Sequence, residues 1–256
     1  MKNLVLGIDV GGSGIKGALV DLNKGDFVGD RVKILTPEGF QMPDVAAVVA
    51  EIAQEFNYKG PIGVGFPAPV RPTDGVCLVA PTAHHYPGWK GNSISDAFAS
   101  VTGSPVTVVN DADAAAIAEA SYGVASGRDG TVILITLGTG VGSGLILNGN
   151  LVPNTELGKL YLKGQSIHAE QYMASRIREE EDLSYKAWGK RLNEYLVYIE
   201  WILRPDLIVL GGGVSRKYEK YSNYITVETE VLPAELRNKA GIVGAASATK
   251  MYQALA

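Results

Sequence analysis

The chain has one cysteine, Cys77, and three histidines among its 256 residues. A single thiol excludes an intramolecular disulfide and a cysteine-rich zinc cluster. It fits a reducing compartment, and the expected location is cytoplasmic. Cys77 lies inside the apolar stretch "GVCLVA". It reads as a small buried residue, since no base flanks it as a nucleophile would require. His84 and His85, in "PTAHHYPGW", have no i, i+4 partner and read as surface or lid residues rather than metal ligands. Excess positive charge is also missing. The formal net charge is −4, so no general basic field addresses nucleic acid or a membrane surface, and any polyanion site must be a local patch. No run of about 18 apolar residues occurs to span a bilayer. The opening "MKNLVLGIDV" lacks the apolar core and cleavage site of a signal peptide. The P-loop pattern G-x-x-x-x-G-K-[ST] is absent, and no G-x-G-x-x-G stands between a strand and a helix.

Glycine is what the chain has in quantity, 31 residues, which points to tight turns or close backbone approach to a ligand. "GIDVGGSGIKGALVD" at 7–21 returns in kind as "ITLGTGVGSGLILNG" at 135–149. Each is an apolar run, a cluster of glycines with Ser or Thr, and a second apolar run. Strands are expected at 3–9, 14–20 and 31–35, in "PIGVGF", at 105–110, over the second hairpin 131–148, and in "PDLIVLGGG". Val45, Val48, Val49, Ile52 and Phe56 form a helical face after Pro43. A second helix should open near Asn92, with Ile94, Ala97, Phe98 and Val101 inward. The Ala-rich run 111–125 is helical, 166–204 is mostly helical with Ser184 as an N-cap, and the end "GIVGAASATKMYQALA" reads as an amphipathic helix. Strands alternating with crossover helices make an α/β chain. The repeated hairpin implies two related lobes with a cleft between them. These are a small lobe over 1–110, a large lobe over 111–240, and a C-terminal helix at 241–256 that packs back on the small lobe.

Four motifs could carry chemistry. In the first turn Gly11, Gly12 and Gly14 let backbone N–H groups approach phosphate oxygens, Ser13 and Lys16 add donors, and Asp9 at the strand end could hold Mg²⁺ through water. A plain tight hairpin is the other reading. Gly138, Thr139, Gly140 and Gly142 repeat the device, and a single turn does not require glycines at alternate positions. Between the two lies "VNDADA", where a buried strand meets a helix N-terminus. Asp111 there is either a helix cap or a base for a sugar hydroxyl, with Asn110 able to donate and accept beside it. Asp113 reads as a capping or surface carboxylate. After the second hairpin, Glu156 in "NTELGK" could bind two neighbouring hydroxyls or remain a solvated loop residue. Finally, Gly211, Gly212 and Gly213 run into what reads as a helix start bearing Arg216 and Lys217, with Lys220 a turn later. That arrangement suits a nucleotide phosphate or longer phosphate chain, or is a turn with a solvated basic face.

In this order the motifs resemble the ROK family of sugar kinases and repressors, within the actin/hexokinase superfamily. "GIDVGGSGIKGALVD", "VPNTELGKL", "LSYKAWGKRLNEYL" and "PDLIVLGGGVS" look more narrowly like its polyphosphate glucokinase branch. The resemblance implies a two-lobed actin/hexokinase (ribonuclease H-like) α/β fold with a cleft between lobes. It implies transfer of a phosphoryl group from polyphosphate, and ATP as a second donor, to the 6-hydroxyl of glucose. Matched by motif, Asp111 is the base; Asn110, Glu156 and Glu170 are sugar ligands; and the glycine turns hold the donor. Mg²⁺ would come with the donor, and a homodimer is implied. Two positions depart from the family. Lys159 replaces the usual His after E-L-G and is a further expected sugar ligand, able to donate to a hydroxyl, and Thr82 or Ala83 stands near the place of an Asn that approaches the sugar. With the cysteine cluster of zinc-bearing relatives also absent, no structural zinc is expected. The rivals are an ATP-dependent kinase for mannose, fructose or an N-acetylhexosamine, a sugar-responsive regulator, and an actin-like ATPase. A regulator would need a DNA-binding module ahead of Gly7.

Overall fold

The computed structural model describes residues 3–81 and 88–253. The lid positions Thr82, Ala83, His84 and His85 lie outside them. The chain divides into two compact units, Met1–Ala118 with Lys239–Ala256, and Glu119–Asn238.

The first unit is built on the hairpin of β1 (Leu4–Gly11) and β2 (Gly14–Asp21), antiparallel with Gly11 facing Gly14. Only Gly12 and Ser13 are left to make the turn. Two short strands, β3 (Asp26–Phe27) and β4 (Val32–Ile34), pair with β2. Helix α1 (Met42–Glu55) carries Pro43 in its first turn, where a ring with fixed φ and no N–H is tolerated, and buries Val45, Val49 and Ile52. Strand β5 (Ile62–Phe66) is buried at every residue and runs parallel to β1, the pattern of a strand covered on both faces. A small hairpin, β6 (Val70–Arg71) with β7 (Val76–Cys77), follows. Cys77 is buried there, and burial raises its thiol pKa. Helix α2 (Ile94–Thr102) is capped by Ser93, whose hydroxyl accepts from the Asp96 N–H at 3.1 Å. The helix thus opens beside Asn92 as expected; Ile94 and Phe98 are buried, whereas Val101, expected to face inward, is exposed. Strand β8 (Val106–Asn110) lies parallel to β5 and leads directly into α3 (Asp111–Tyr122). The sheet order is β3-β2-β1-β5-β8, with β4 also on β2.

The second unit repeats this wiring. Strands β9 (Thr131–Leu137) and β10 (Val141–Leu147) form the second glycine hairpin, and β11 (Asn150–Val152) extends it. Helices α4 (Ala169–Met173), α5 (Ser175–Glu180) and α6 (Tyr185–Leu203) precede β12 (Leu207–Gly211) and β13 (Glu230–Pro233). The order is β11-β10-β9-β12-β13, with β9, β12 and β13 parallel. Ser184 caps α6 through the Ala187 N–H. The buried face of α6 carries Trp188, Leu192, Tyr195, Leu196 and Ile199. The Trp188 indole N–H donates to the Met173 carbonyl at 2.8 Å, joining α6 to α4.

The chain returns to the first unit as α7 (Ala240–Gln253), which packs on β1, β5 and β8. The amphipathic reading is corrected here. Ile242, Val243, Ala245, Ala246, Ala248 and Thr249 are all buried, so α7 has no wide polar face. Its small residues let backbone meet backbone. A Cβ on Gly63 would run into the Ala245 carbonyl, and one on Gly244 into that of Ala114. Because the first turn of α3 packs on α7 in this way, the division between units falls inside α3 rather than ahead of it.

Candidate active site

In the first unit the parallel strands end level with one another. Asp9 is in register with Gly65, Gly65 with Val109, and Phe66 with Asn110. Ligands of such sheets bind at the carboxyl ends of the strands, and this edge holds the first glycine turn, Asn110 and Asp111. Asn110 is 8% exposed, and its Oδ1 accepts from the N–H groups of Ala112 at 2.9 Å and Asp113 at 3.3 Å. Asn110 is thus the cap of α3. Asp111 is exposed in the first helical turn, its Oδ1 accepting from the Ala112 N–H at 2.8 Å, where the helix dipole favours an anion. Asn110 and Asp111 thus share the first amides of α3, Asn110 taking two of them, and the Asp111 side chain is exposed at the strand edge. Asp113 corrects the reading as a capping or surface group. It is fully buried beneath α7, where burial, and then the charge of Asp113, push the Tyr252 phenol up to about 12.

The first turn is flanked by charge. Lys16 Nζ lies 3.2 Å from Asp9 Oδ2, directly across the hairpin. Thr36 donates its hydroxyl to the Gly11 carbonyl at 2.5 Å. Lys33 faces Lys16 in the β2–β4 register, and its Cε lies 2.6 Å from where a Cβ on Gly14 would stand, so glycine makes room for the lysine stem. Two like charges placed opposite each other are unfavourable unless an anion joins them. Neither Lys33 nor Thr36 belongs to a recognisable motif; only the pairing of a three-residue strand brings them here. Among the described residues no group of three His, Cys, Asp or Glu is placed to hold a metal ion. A magnesium ion fits this donor set only as a companion of phosphate oxygens, with Asp9 beside them.

In the second unit the turn Gly138–Thr139–Gly140 is closed by the Gly138 N–H on the Gly140 carbonyl at 3.0 Å. Gly142 lies past it, inside β10 and opposite Thr136. Ser143 anchors the following loop: its hydroxyl donates to the Thr155 carbonyl at 2.6 Å and accepts from the Leu157 N–H at 2.9 Å. That loop carries Glu156 and then one 3-10 turn, Leu157–Lys159. Glu170, from α4, spans both pieces. Its Oε2 accepts from the Val141 N–H at 2.9 Å, and its Oε1 takes Lys159 Nζ at 2.8 Å. Lys159 and Glu170 therefore bind each other, rather than standing apart as independent ligands. Glu156 is an exposed residue, yet its carboxyl is partly desolvated by the protein atoms around it, and this holds it above the usual carboxylate range; the Lys159 charge lowers it and the Glu170 charge raises it.

The three glycines at the end of β12 and just past it have three different settings. Gly211 ends the strand among Leu134, Thr136 and Ala234. Gly212 has φ +81°, and a Cβ there would run into the Leu137 carbonyl. This turn is thus pressed against the end of β9, beside the second glycine turn. Gly213 has open space around it. The expected helix start is corrected: Gly213–Lys220 is 3-10, broken at Lys217 (φ −111°, ψ 18°), so no α-helix dipole points at this turn. Arg216 and Lys217 are exposed and form no ion pair among the described residues. Gly12 and Gly138 share the setting of Gly213. Their φ is not positive and nothing lies within 4 Å of a would-be Cβ. The fold does not require glycine at these three positions, and the absence of a side chain leaves their backbone open to close approach.

The ROK family model matches residues 5–159. The polyphosphate glucokinase of Mycobacterium tuberculosis (strain CDC 1551 / Oshkosh) is 46% identical over 244 residues, 95% of this chain and 90% of that one. The crystal structure of the inorganic polyphosphate/ATP-glucomannokinase from Arthrobacter sp. strain KM is similar at a TM-score of 0.88 and 40% identity, covering 97% of this chain and 98% of that one. A ROK family glucokinase from Streptomyces griseus, in complex with glucose and AMPPNP, is similar at a TM-score of 0.79 and 25% identity, covering 97% and 100%.

Proposed function

The chain belongs to the ROK family, with its actin/hexokinase-like α/β fold, and from that premise we propose that it is a glucokinase transferring a phosphoryl group from polyphosphate, and from ATP as a second donor, to the 6-hydroxyl of glucose. The observation that carries the mechanism is the division of labour at the end of β8. Asn110 caps α3, so Asp111 is presented as an exposed carboxylate at the edge where ligands of parallel sheets bind. Asp111 accepts the proton of the 6-hydroxyl as that oxygen bonds to the terminal phosphorus and the bridging P–O bond of the donor breaks. The Asn110 amide nitrogen can donate to the sugar while its oxygen stays on the helix. Glu156 accepts from adjacent hydroxyls, with the Lys159–Glu170 pair beside it. Backbone N–H groups of the glycine turns, those of Thr139 and Gly140 in the second among them, take the donor's phosphates; positioning and charge stabilisation are the protein's main task in such a reaction. Asp9 would face a Mg²⁺ ion carried by the donor, which would neutralise phosphoryl charge when bound. Lys16 and Lys33 in the first unit, and Arg216 and Lys217 in the second, each offer cationic partners to a polyanion. Among the described residues no helix is long and apolar enough to cross a membrane. A cytoplasmic homodimer completes the reading.

A glucose 6-phosphate-coupled assay tests it, comparing long-chain polyphosphate with ATP, and glucose with mannose, fructose and N-acetylglucosamine. Glucose phosphorylation by polyphosphate is expected. The relative named a glucomannokinase makes mannose the informative second sugar. ATP hydrolysis with no sugar phosphate formed would sink the proposal and favour an actin-like ATPase. The glycine settings supply a second test. Gly12→Ala and Gly138→Ala should leave Tm within about 2 °C, because neither Cβ meets protein. Both should lower donor kcat/KM by about tenfold, the worth of one phosphate hydrogen bond. Thermal unfolding and donor titrations read the two quantities separately.

A further inference from the structure

Arg176 lies in the second turn's surroundings without belonging to any of the motifs. It sits at the start of α5, 36 residues past the turn in sequence, and touches it twice. Its backbone N–H donates to the Gly138 carbonyl at 3.1 Å, and its Nε donates to the Thr139 carbonyl at 3.1 Å. Its Nη1 is held by Glu180 at 2.8 and 3.1 Å, so the guanidinium is already paired and oriented on its outer side.

The consequence follows from peptide geometry. In a trans peptide the C=O and the next residue's N–H point in opposite directions. Drawing the Gly138 oxygen toward Arg176 turns the Thr139 N–H away from it. Drawing the Thr139 oxygen the same way turns the Gly140 N–H away as well. The other two amides of the turn are already engaged: that of Gly138 on the Gly140 carbonyl, and that of Val141 on Glu170. Thr139 and Gly140 are left with N–H groups that donate to nothing among the described residues. They point to one side, opposite Arg176, beside the open space at Gly138. Two successive amides aligned in this way form an anion-binding concavity.

We propose that Arg176 is a positioning residue for the phosphoryl donor, acting from behind the turn by fixing the direction of these two amides. The inference rests on the reading of 138–140 as a donor cradle. Arg176→Ala keeps the backbone bond to Gly138 but releases the Thr139 carbonyl. The affinity for inorganic tripolyphosphate, measured by calorimetry without sugar, should fall about tenfold, and donor kcat/KM should fall by a similar factor for both ATP and polyphosphate. The glucose KM and Tm should stay within about twofold and 2 °C, values that a merely structural role would move. Arg176→Lys, which can return one N–H to the same carbonyl, should lie between. The proposal is overturned if tripolyphosphate affinity in Arg176→Ala stays within twofold of the wild type. It is equally overturned if glucose affinity falls as far as donor affinity, or if the Lys variant is no better than Ala. Because tripolyphosphate binding needs no sugar, a wild-type protein that binds it yet phosphorylates no hexose would sink the glucokinase reading and leave this one standing.

Discussion

Asp111→Asn is expected to lower kcat by about 10²- to 10⁴-fold, the range of a lost general base, while glucose binding and folding persist. The substitution is nearly isosteric. The Asn side-chain oxygen can still accept from the Ala112 N–H, as Asp111 Oδ1 does at 2.8 Å, but it cannot take the proton of the 6-hydroxyl. The helix does not depend on position 111, since Asn110 receives the Ala112 and Asp113 amides. Tm should therefore move by no more than about 2 °C. Glucose affinity by calorimetry should remain within about threefold, because the loss is confined to the transition state. Asp113 cannot substitute as the base, being fully buried under α7. Turnover near the wild-type rate in Asp111→Asn would remove Asp111 from the mechanism, and a parallel collapse of Tm would make it a structural residue.

What was legible in the sequence was local. Strand, glycine turn, strand is written in consecutive residues, so both hairpins and their repetition are visible before folding. The strands in "PIGVGF" and "PDLIVLG" are visible too, because each is apolar throughout and bounded by turn residues. The site was less legible where function is decided by partners distant in the chain. Asn and Asp are both good helix caps, so the letters of "ND" do not say that Asn110 caps and Asp111 is presented outward. The Lys159–Glu170 ion pair spans 11 residues and depends on the chain folding back through the Tyr161–His168 bridge. Three identical glycines at the end of β12 and just past it have three different settings, and only the packing of Gly212 on Leu137 reveals them. The C-terminal helix misleads for a physical reason as well. Its alanines and glycines look like the mild face of a surface helix, yet they are small because β1, β5 and α3 press against its backbone.

Glu156→Gln should gain stability and lose sugar affinity together. Partial desolvation holds the Glu156 carboxyl above the ordinary glutamate range in the folded chain, the Lys159 ammonium opposing this and the Glu170 carboxylate adding to it. A proton is therefore bound more tightly folded than unfolded. The stability tied to that proton is present below the ordinary glutamate value and is lost as pH rises through the raised folded one. At pH 7 the ionised carboxylate is a cost to the fold, kept small by the water that still reaches this exposed side chain, which an uncharged Gln does not carry, so the variant should melt slightly above the wild type. The difference should shrink and vanish as the pH is lowered below the ordinary glutamate range. Glucose affinity should move the other way, down by about 10- to 100-fold, the worth of charge-assisted hydrogen bonds to hydroxyls. The wild-type glucose KM should begin to rise on acidification at a higher pH than an unperturbed carboxylate would give, and the variant's KM should be flat across that window. Melting curves at neutral and acid pH, with glucose titrations at the same values, read both arms. A variant less stable than wild type at pH 7, or one with unchanged glucose KM, would show that Glu156 is held for the fold rather than for the sugar. A site built for binding is expected to carry its cost in the opposite sense, as a charge the folded chain would be more stable without.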